Sequence, residues 1–228
     1  MSHSVVLIHG ASGNAATWDL EPWSWADTVA IDLPGRGDSP GPARERVADT
    51  AGWLREELAR RGISKPILVG HSYGGGVALQ LALDHPDAVG ALVMVSSASR
   101  LKVAPAILEA VAASTPDAPH RLDAAFGPKT PRDILDDYAD RASATPPESA
   151  LADWRACDGF DVRTRLADVQ VPTLIVYGDA DVLTMPKFQE RLVQAIPGAR
   201  SHVVAGVGHM LPWEAPADLA DAVRRFAG

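Results

Sequence analysis

A chain of 228 residues, 46% of them apolar and 22% charged, can bury one sizeable core but is short for two. Its 29 acidic and 21 basic residues give a formal charge of −8 with no arginine-rich run, which argues against nucleic acid and anionic membranes as partners. One cysteine, Cys157, rules out an intrachain disulfide, and MSHSVVLIHG carries neither a basic leader nor an apolar run of membrane-spanning length, so a cytoplasmic location is expected.

The first apolar run, VVLI at 5–8, leads straight into His9-Gly10-Ala11-Ser12-Gly13. A tryptophan-rich stretch, WDLEPWSW, separates it from the second run, TVAI at 28–31. LPGRGDSPG follows. Its Arg-Gly-Asp matches a tripeptide read by adhesion receptors, but a turn is required here in any case and the match is read as accidental. In VADTAGWLREELARRG, Val47, Ala51, Leu54 and Leu58 share one face at helical spacing. PILV at 66–69 runs into Gly70-His71-Ser72-Tyr73-Gly74, a helical stretch follows, and ALVMV fills 91–95.

From Ser99 to Val171 no strand candidate occurs. Helix-like pieces such as PAILEAVAA and PRDILDDYADRA are punctuated by prolines at 116, 119, 128, 131, 146 and 147. They predict a small helical cap, residues 100–165, inserted over one end of the sheet and separate from the main core. TLIVY at 173–177 then precedes Gly178-Asp179-Ala180-Asp181, and SHVV at 201–204 precedes AGVGHM with His209. Leu219, Val223 and Phe226 mark a terminal helix.

The apolar runs are nearly continuous rather than alternating, as parallel strands covered on both faces should be. Alternation with helices predicts a doubly wound α/β sheet in a single domain, 1–228. In open sheets of this class, function gathers beyond the carboxyl ends of the strands. A serine, acids and a histidine stand there, each past a different strand. They are the parts needed for nucleophilic acyl transfer. An alcohol attacks a carbonyl at neutral pH only if a base takes its proton; histidine titrates in the right range, and a carboxylate fixes its tautomer and stabilises the imidazolium. Gly-x-Ser-x-Gly suits a sharp strand-to-helix turn in which flanking side chains would clash. The other histidines show no metal-ligand spacing, and no glycine-rich stretch carries the Lys-Ser/Thr of a phosphate loop, so neither metal nor cofactor is expected. His9 reads as a buried, hydrogen-bonded histidine, His71 has no assigned role, and Cys157 reads as a small residue packed in the fold.

VVLIHGASGNAATW, AIDLPGRGDSPG, HPDAVGALVMVSSA, FDVRTRLADVQVPTLIVYGDAD and GVGHMLPWEAP, in that order, resemble the α/β-hydrolase superfamily over nearly the whole chain. The closest likeness is to small bacterial carboxylesterases and their lactonase-like and thioesterase-like relatives. The resemblance implies an α/β-hydrolase fold with about six mostly parallel strands, lacking the antiparallel pair that many relatives carry ahead of the first strand. It also implies roles. Ser72 would be the nucleophile, His209 the general base and then acid, and Asp181 the orienting carboxylate, preferred over Asp179 because the family's acid usually stands three residues after the strand-end glycine, here Gly178. Backbone N–H groups of Ala11 and Tyr73 would form the oxyanion hole. Trp18, Phe126, Tyr138, Trp154 and Met210 are candidates for the substrate pocket.

The expected function is hydrolysis of a small-molecule ester, lactone or thioester through an acyl-enzyme. Alternatives are perhydrolysis, carbon–carbon cleavage or hydroxynitrile lysis with the same triad, since HGASGNAATW also resembles the plant esterase and hydroxynitrile-lyase loop. A ligand receptor with negligible turnover is the non-enzymatic alternative. With the antiparallel pair missing, TVAID at 28–32 becomes the sheet edge. WDLEPWSW or a second subunit is expected to shield it, making the protein a monomer or a homodimer.

Overall fold

Each apolar run becomes a strand, and in the four inner strands side chains on both faces are buried, which is why hydrophobicity runs on there without alternating. In the computed structural model, which describes residues 4–142 and 144–228, these strands are β1 (Ser4–Ile8), β2 (Asp27–Ile31), β3 (Ile67–His71), β4 (Ala91–Val95), β5 (Thr173–Gly178) and β6 (Arg200–Val204). They form one six-stranded sheet, parallel throughout, in the order β2-β1-β3-β4-β5-β6. The chain leaves β1 to one side for β2 and returns on the other side at β3. That reversal opens a crevice beyond the carboxyl ends of β1 and β3.

The helices are α1 (Val47–Arg60), α2 (Tyr73–Asp84), α3 (Pro105–Ala112), α4 (Arg132–Ala142), α5 (Pro147–Asp158), α6 (Pro186–Ala195), α7 (Leu211–Glu214) and α8 (Pro216–Ala227). On one face of the sheet, Val6, Ile8, Leu68, Met94 and Ile175 pack with Leu54 and Leu58 of α1, Val77 and Leu81 of α2, and Leu192 of α6. On the other, Val5, Leu7, Val69, Val93 and Val176 meet Trp18, Trp23, and Leu219 and Val223 of α8. Each fully buried leucine or valine adds about 1.5–3 kcal/mol, so these two layers dominate the stability.

Between β4 and β5 the described residues form helices and no strand. Pro105 and Pro147 sit in the first turns of α3 and α5, where a missing N–H costs nothing. The segment departs from the expected detached cap in one respect. Ala150, Trp154, Ala156 and Cys157 of α5, with Phe160 and Val162, belong to the main core beside α2. The smaller cluster of Ala125, Phe126, Tyr138 and Met210 lies under α4. A proline-broken pattern marks where helices start; it does not show which of them reaches the core.

β2 is the sheet edge, as expected. Trp18 and Trp23 of the tryptophan-rich segment are buried in the core cluster on one face of the sheet, and Trp25 and, from β2, Ala30 pack against that cluster. The segment also bonds β2: Thr28 Oγ1 donates to the Trp23 carbonyl at 3.2 Å. Among the described residues no helix is long and apolar enough to cross a membrane.

Candidate active site

β3 ends at His71, and the chain turns so sharply into α2 that Ser72 takes φ 50°, ψ −112°. A non-glycine residue held at positive φ costs on the order of 1–3 kcal/mol and persists only where its surroundings impose it. Here the Ser72 N–H donates to the Val95 carbonyl (2.8 Å), and the Ser72 carbonyl accepts from Ser97 Oγ (2.7 Å). The flanking glycines are needed on contact grounds. A Cβ on Gly70 would run into the backbone of Gly74, and one on Gly74 into the carbonyls of Ile8 and His9.

Asp181 and His209 come from the loops after β5 and β6. His209 Nδ1 bonds Asp181 Oδ2 at 2.9 Å. Asp181 Oδ1 accepts from the N–H groups of Leu183 (2.8 Å) and Thr184 (2.9 Å), and Oδ2 also accepts from Thr184 Oγ1 (2.7 Å). Burial alone would raise the Asp181 carboxyl. The His209 charge and these hydrogen bonds outweigh it and hold the group down at about 2. Asp179 instead is exposed and accepts from the Gly206 N–H (2.6 Å), a turn-bridging contact. The structure therefore brings Asp181, and not Asp179, to the histidine.

Both elbow-side histidines are buried and neutral. His71 Nε2 donates to the His209 carbonyl (2.9 Å), and burial, with the neighbouring His209 charge, pushes it down to about 3. His9 Nδ1 donates to the Gly10 carbonyl (2.8 Å) while Nε2 accepts from the Leu33 N–H (3.1 Å), and burial lowers it as well. The His209 loop is also held from the cap side: its N–H donates to the Ala125 carbonyl (2.7 Å), and Glu214 accepts from the N–H of Gly127 (2.8 Å) and of Gly208 (3.1 Å).

A buried ion pair fixes the loop after β1. Arg36, from the Arg-Gly-Asp stretch, bonds Asp153 of α5 in bidentate fashion: Nη1 to Oδ2 (2.7 Å) and Nη2 to Oδ1 (2.9 Å), the side chains being 1% and 2% exposed. Asp153 Oδ2 also accepts from the Ser12 N–H (3.1 Å), Arg36 Nη1 donates to the Gly13 carbonyl (2.9 Å), and Trp154 Nε1 donates to Ser12 Oγ (2.8 Å). Three segments remote in sequence meet there. Next to Ser12, the N–H of Ala11 has no acceptor among the described residues, and neither does that of Tyr73 at the first turn of α2.

Ser72 and His209 face two cavities. A narrow one of about 20 Å³ is lined by Ala11, Tyr138, Met210 and Trp213 as well. A wider one of about 300 Å³ lies on the side of α3, α5 and α6. Of the proposed pocket residues, Tyr138 and Met210 line the first and Trp154 lines both. Trp18 packs edge-on against Trp23 (6.2 Å between centroids) in the core, and Phe126 stands behind Tyr138 (5.2 Å). Arg36, Asp153, Ser12, Thr184 and His71 were not anticipated as part of the site. A lone arginine inside a glycine-rich turn was the one available signal, and its partner lies 117 positions away. Among the described residues no group of three or more His, Cys, Asp or Glu is placed to hold a metal ion.

The sequence profile of the alpha/beta hydrolase family matches residues 5–222. A pimeloyl-[acyl-carrier protein] methyl ester esterase of Neisseria meningitidis is 31% identical over 224 residues, covering 90% of this chain and 85% of its own. A solved structure described as an N-acyl homoserine lactone degrading enzyme is 27% identical, with a TM-score of 0.85 over 99% of this chain and 93% of that one. An esterase from Exiguobacterium antarcticum superposes with a TM-score of 0.88 over 100% and 92% of the two chains; at 20% identity it speaks for the fold alone. With the profile running from the first strand into the last helix, the chain belongs to the alpha/beta hydrolase family.

Proposed function

We propose that the chain is a serine hydrolase cleaving a small carboxylic ester, lactone or thioester through an acyl-enzyme on Ser72. The observation that carries this reading is the 2.9 Å bond from His209 Nδ1 to Asp181, beside a strained Ser72 on the same two cavities. With Nδ1 so occupied, Nε2 is the ring nitrogen left to serve the serine. Ser72 Oγ attacks the carbonyl carbon as His209 Nε2 takes the hydroxyl proton, and Asp181 stabilises the imidazolium. The N–H groups of Ala11 and Tyr73 receive the oxyanion, a contribution of about 10²–10³ in rate per donor. Collapse expels the alcohol or thiol with the proton returned by His209. Water then repeats the sequence and releases the acid. The relatives named for ester and lactone substrates support this choice among the family's chemistries.

Ser72→Ala tests it. Turnover of p-nitrophenyl esters should fall by on the order of 10⁶ in kcat, and fluorophosphonate labelling should vanish, with the far-UV spectrum unchanged. Retention of more than a tenth of the activity overturns the assignment. Absence of turnover in the unaltered protein across an ester series favours the receptor alternative.

A further inference from the structure

The two cavities at Ser72 differ in charge as well as in size. The wider one is walled by Leu101, Val103, Ile107, Trp154, Leu183 and Phe188. Arg100, Lys102, Arg163 and Arg191 also line it, and no carboxylate does. In a chain with 29 acidic and 21 basic residues, these four cations around one opening reverse the sign of the molecule locally.

Their counter-ions stand outside the lining and are too few. Asp161 is shared between Arg163 (2.7 Å) and Arg100 (3.8 Å), while Asp158 serves Lys102 (2.7 Å). Arg191 has no carboxylate partner among the described residues; its guanidinium lies 5.9 Å from the ring centroid of Phe188. Lys187, which is not part of the lining, lies 5.2 Å from the same centroid. The mouth of this cavity thus keeps uncompensated positive charge, while its walls are apolar and its floor is Ser72 and His209.

Size assigns the two halves of an ester. At about 30 Å³ for each water-sized group, the wide cavity holds roughly ten such groups and the narrow one about one. The long half of the substrate belongs in the wide cavity, with its far end among the cations.

We propose that the wide cavity is the acyl subsite and that Arg100, Lys102, Arg163 and Arg191 select an acyl chain ending in an anionic group. This rests on the serine-hydrolase reading. A carboxylate or a phosphonate would meet the guanidinium forks with paired, charge-assisted hydrogen bonds, and the exposure of these side chains makes the attraction sensitive to salt.

The test compares monoethyl adipate, ethyl hexanoate and ethyl 6-aminohexanoate, similar chains whose far ends carry charge −1, 0 and +1. The expected order of kcat/KM is anion, neutral, cation, about tenfold per step at low salt and compressed several-fold at 0.5 M salt. Ethyl 5-phosphonopentanoate separates a phosphonate preference from a carboxylate one. Arg191→Glu should cut the adipate-to-hexanoate ratio at least fivefold. Calorimetry of the same esters on Ser72→Ala protein reads the ranking without turnover. Absent turnover with the charge ranking intact overturns the hydrolase reading and leaves the subsite standing. A flat or reversed ranking in both assays, or a ratio insensitive to Arg191→Glu, overturns the subsite.

Discussion

Asp153→Leu keeps the branched shape of the side chain and removes its charge. Arg36, 1% exposed, then holds a buried cation with no counter-ion, and its Nε already lacks a partner. Breaking one side of a buried pair costs about 3–5 kcal/mol. That is a large share of the roughly 5–15 kcal/mol that typically holds a domain folded. Arg36→Met should cost a similar amount by stranding the carboxylate. The pair of substitutions Arg36→Met and Asp153→Leu removes both charges together. The Gly13 carbonyl keeps Thr145 Oγ1 as a donor (3.1 Å), so the principal loss is the acceptor of the Ser12 N–H, about 1–3 kcal/mol. The double variant should therefore be more stable than either single one, and the two costs should miss additivity by about 3 kcal/mol or more. Urea denaturation followed by circular dichroism measures all three. Activity should follow a different rule. Ser12 adjoins Ala11, so both variants lacking Asp153 should lose about 10–100-fold in kcat, because small displacements at a reacting centre cost that much. Additive costs, or full kcat in the double variant, would refute the proposal that this ion pair positions the loop after β1.

Asp181→Asn should lower kcat by about 10⁴, since an amide favours the wrong imidazole tautomer, while Asp179→Asn stays within about tenfold; steady-state kinetics of both settles the order. The histidines make the fold acid-sensitive. His71, at about 3 in the folded state, is protonated near 6.5 once unfolded, so between those values the unfolded chain binds the extra proton and stability rises with pH. Urea titrations should show about 2 kcal/mol less stability at pH 5 than at pH 7 from His71, with a further loss from His9, and His71→Asn should remove the first share; the stability from the depressed Asp181 carboxyl is present above about pH 4 and is lost only as pH falls from there toward 2. Glu214→Gln should loosen the His209 loop from the cap and lower kcat without affecting Ser72 labelling by a small fluorophosphonate beyond about tenfold, as read by labelling rates beside turnover.

Much of the fold was legible locally. The apolar runs announced the parallel strands because burial on both faces leaves no room for polar alternation. The helical spacing of Val47, Ala51, Leu54 and Leu58 announced α1, and each of these side chains is buried. Ser72, Asp181 and His209 stood out because each follows its strand directly, and strand ends in one parallel sheet lie at one edge of the molecule. What no local pattern held was pairing at long range. Asp181 and Asp179 both follow Gly178, and only the three-dimensional course of the loops after β5 and β6 turns the first toward His209 and the second toward Gly206. The tryptophans of WDLEPWSW were visible, but not that Trp18 and Trp23 would be buried in one cluster with Leu219 and Val223 of α8, some two hundred residues later. The sequence marks Arg36 only as part of a turn. It is buried because Asp153, on a helix more than a hundred residues later, supplies the one environment in which a guanidinium tolerates the loss of water.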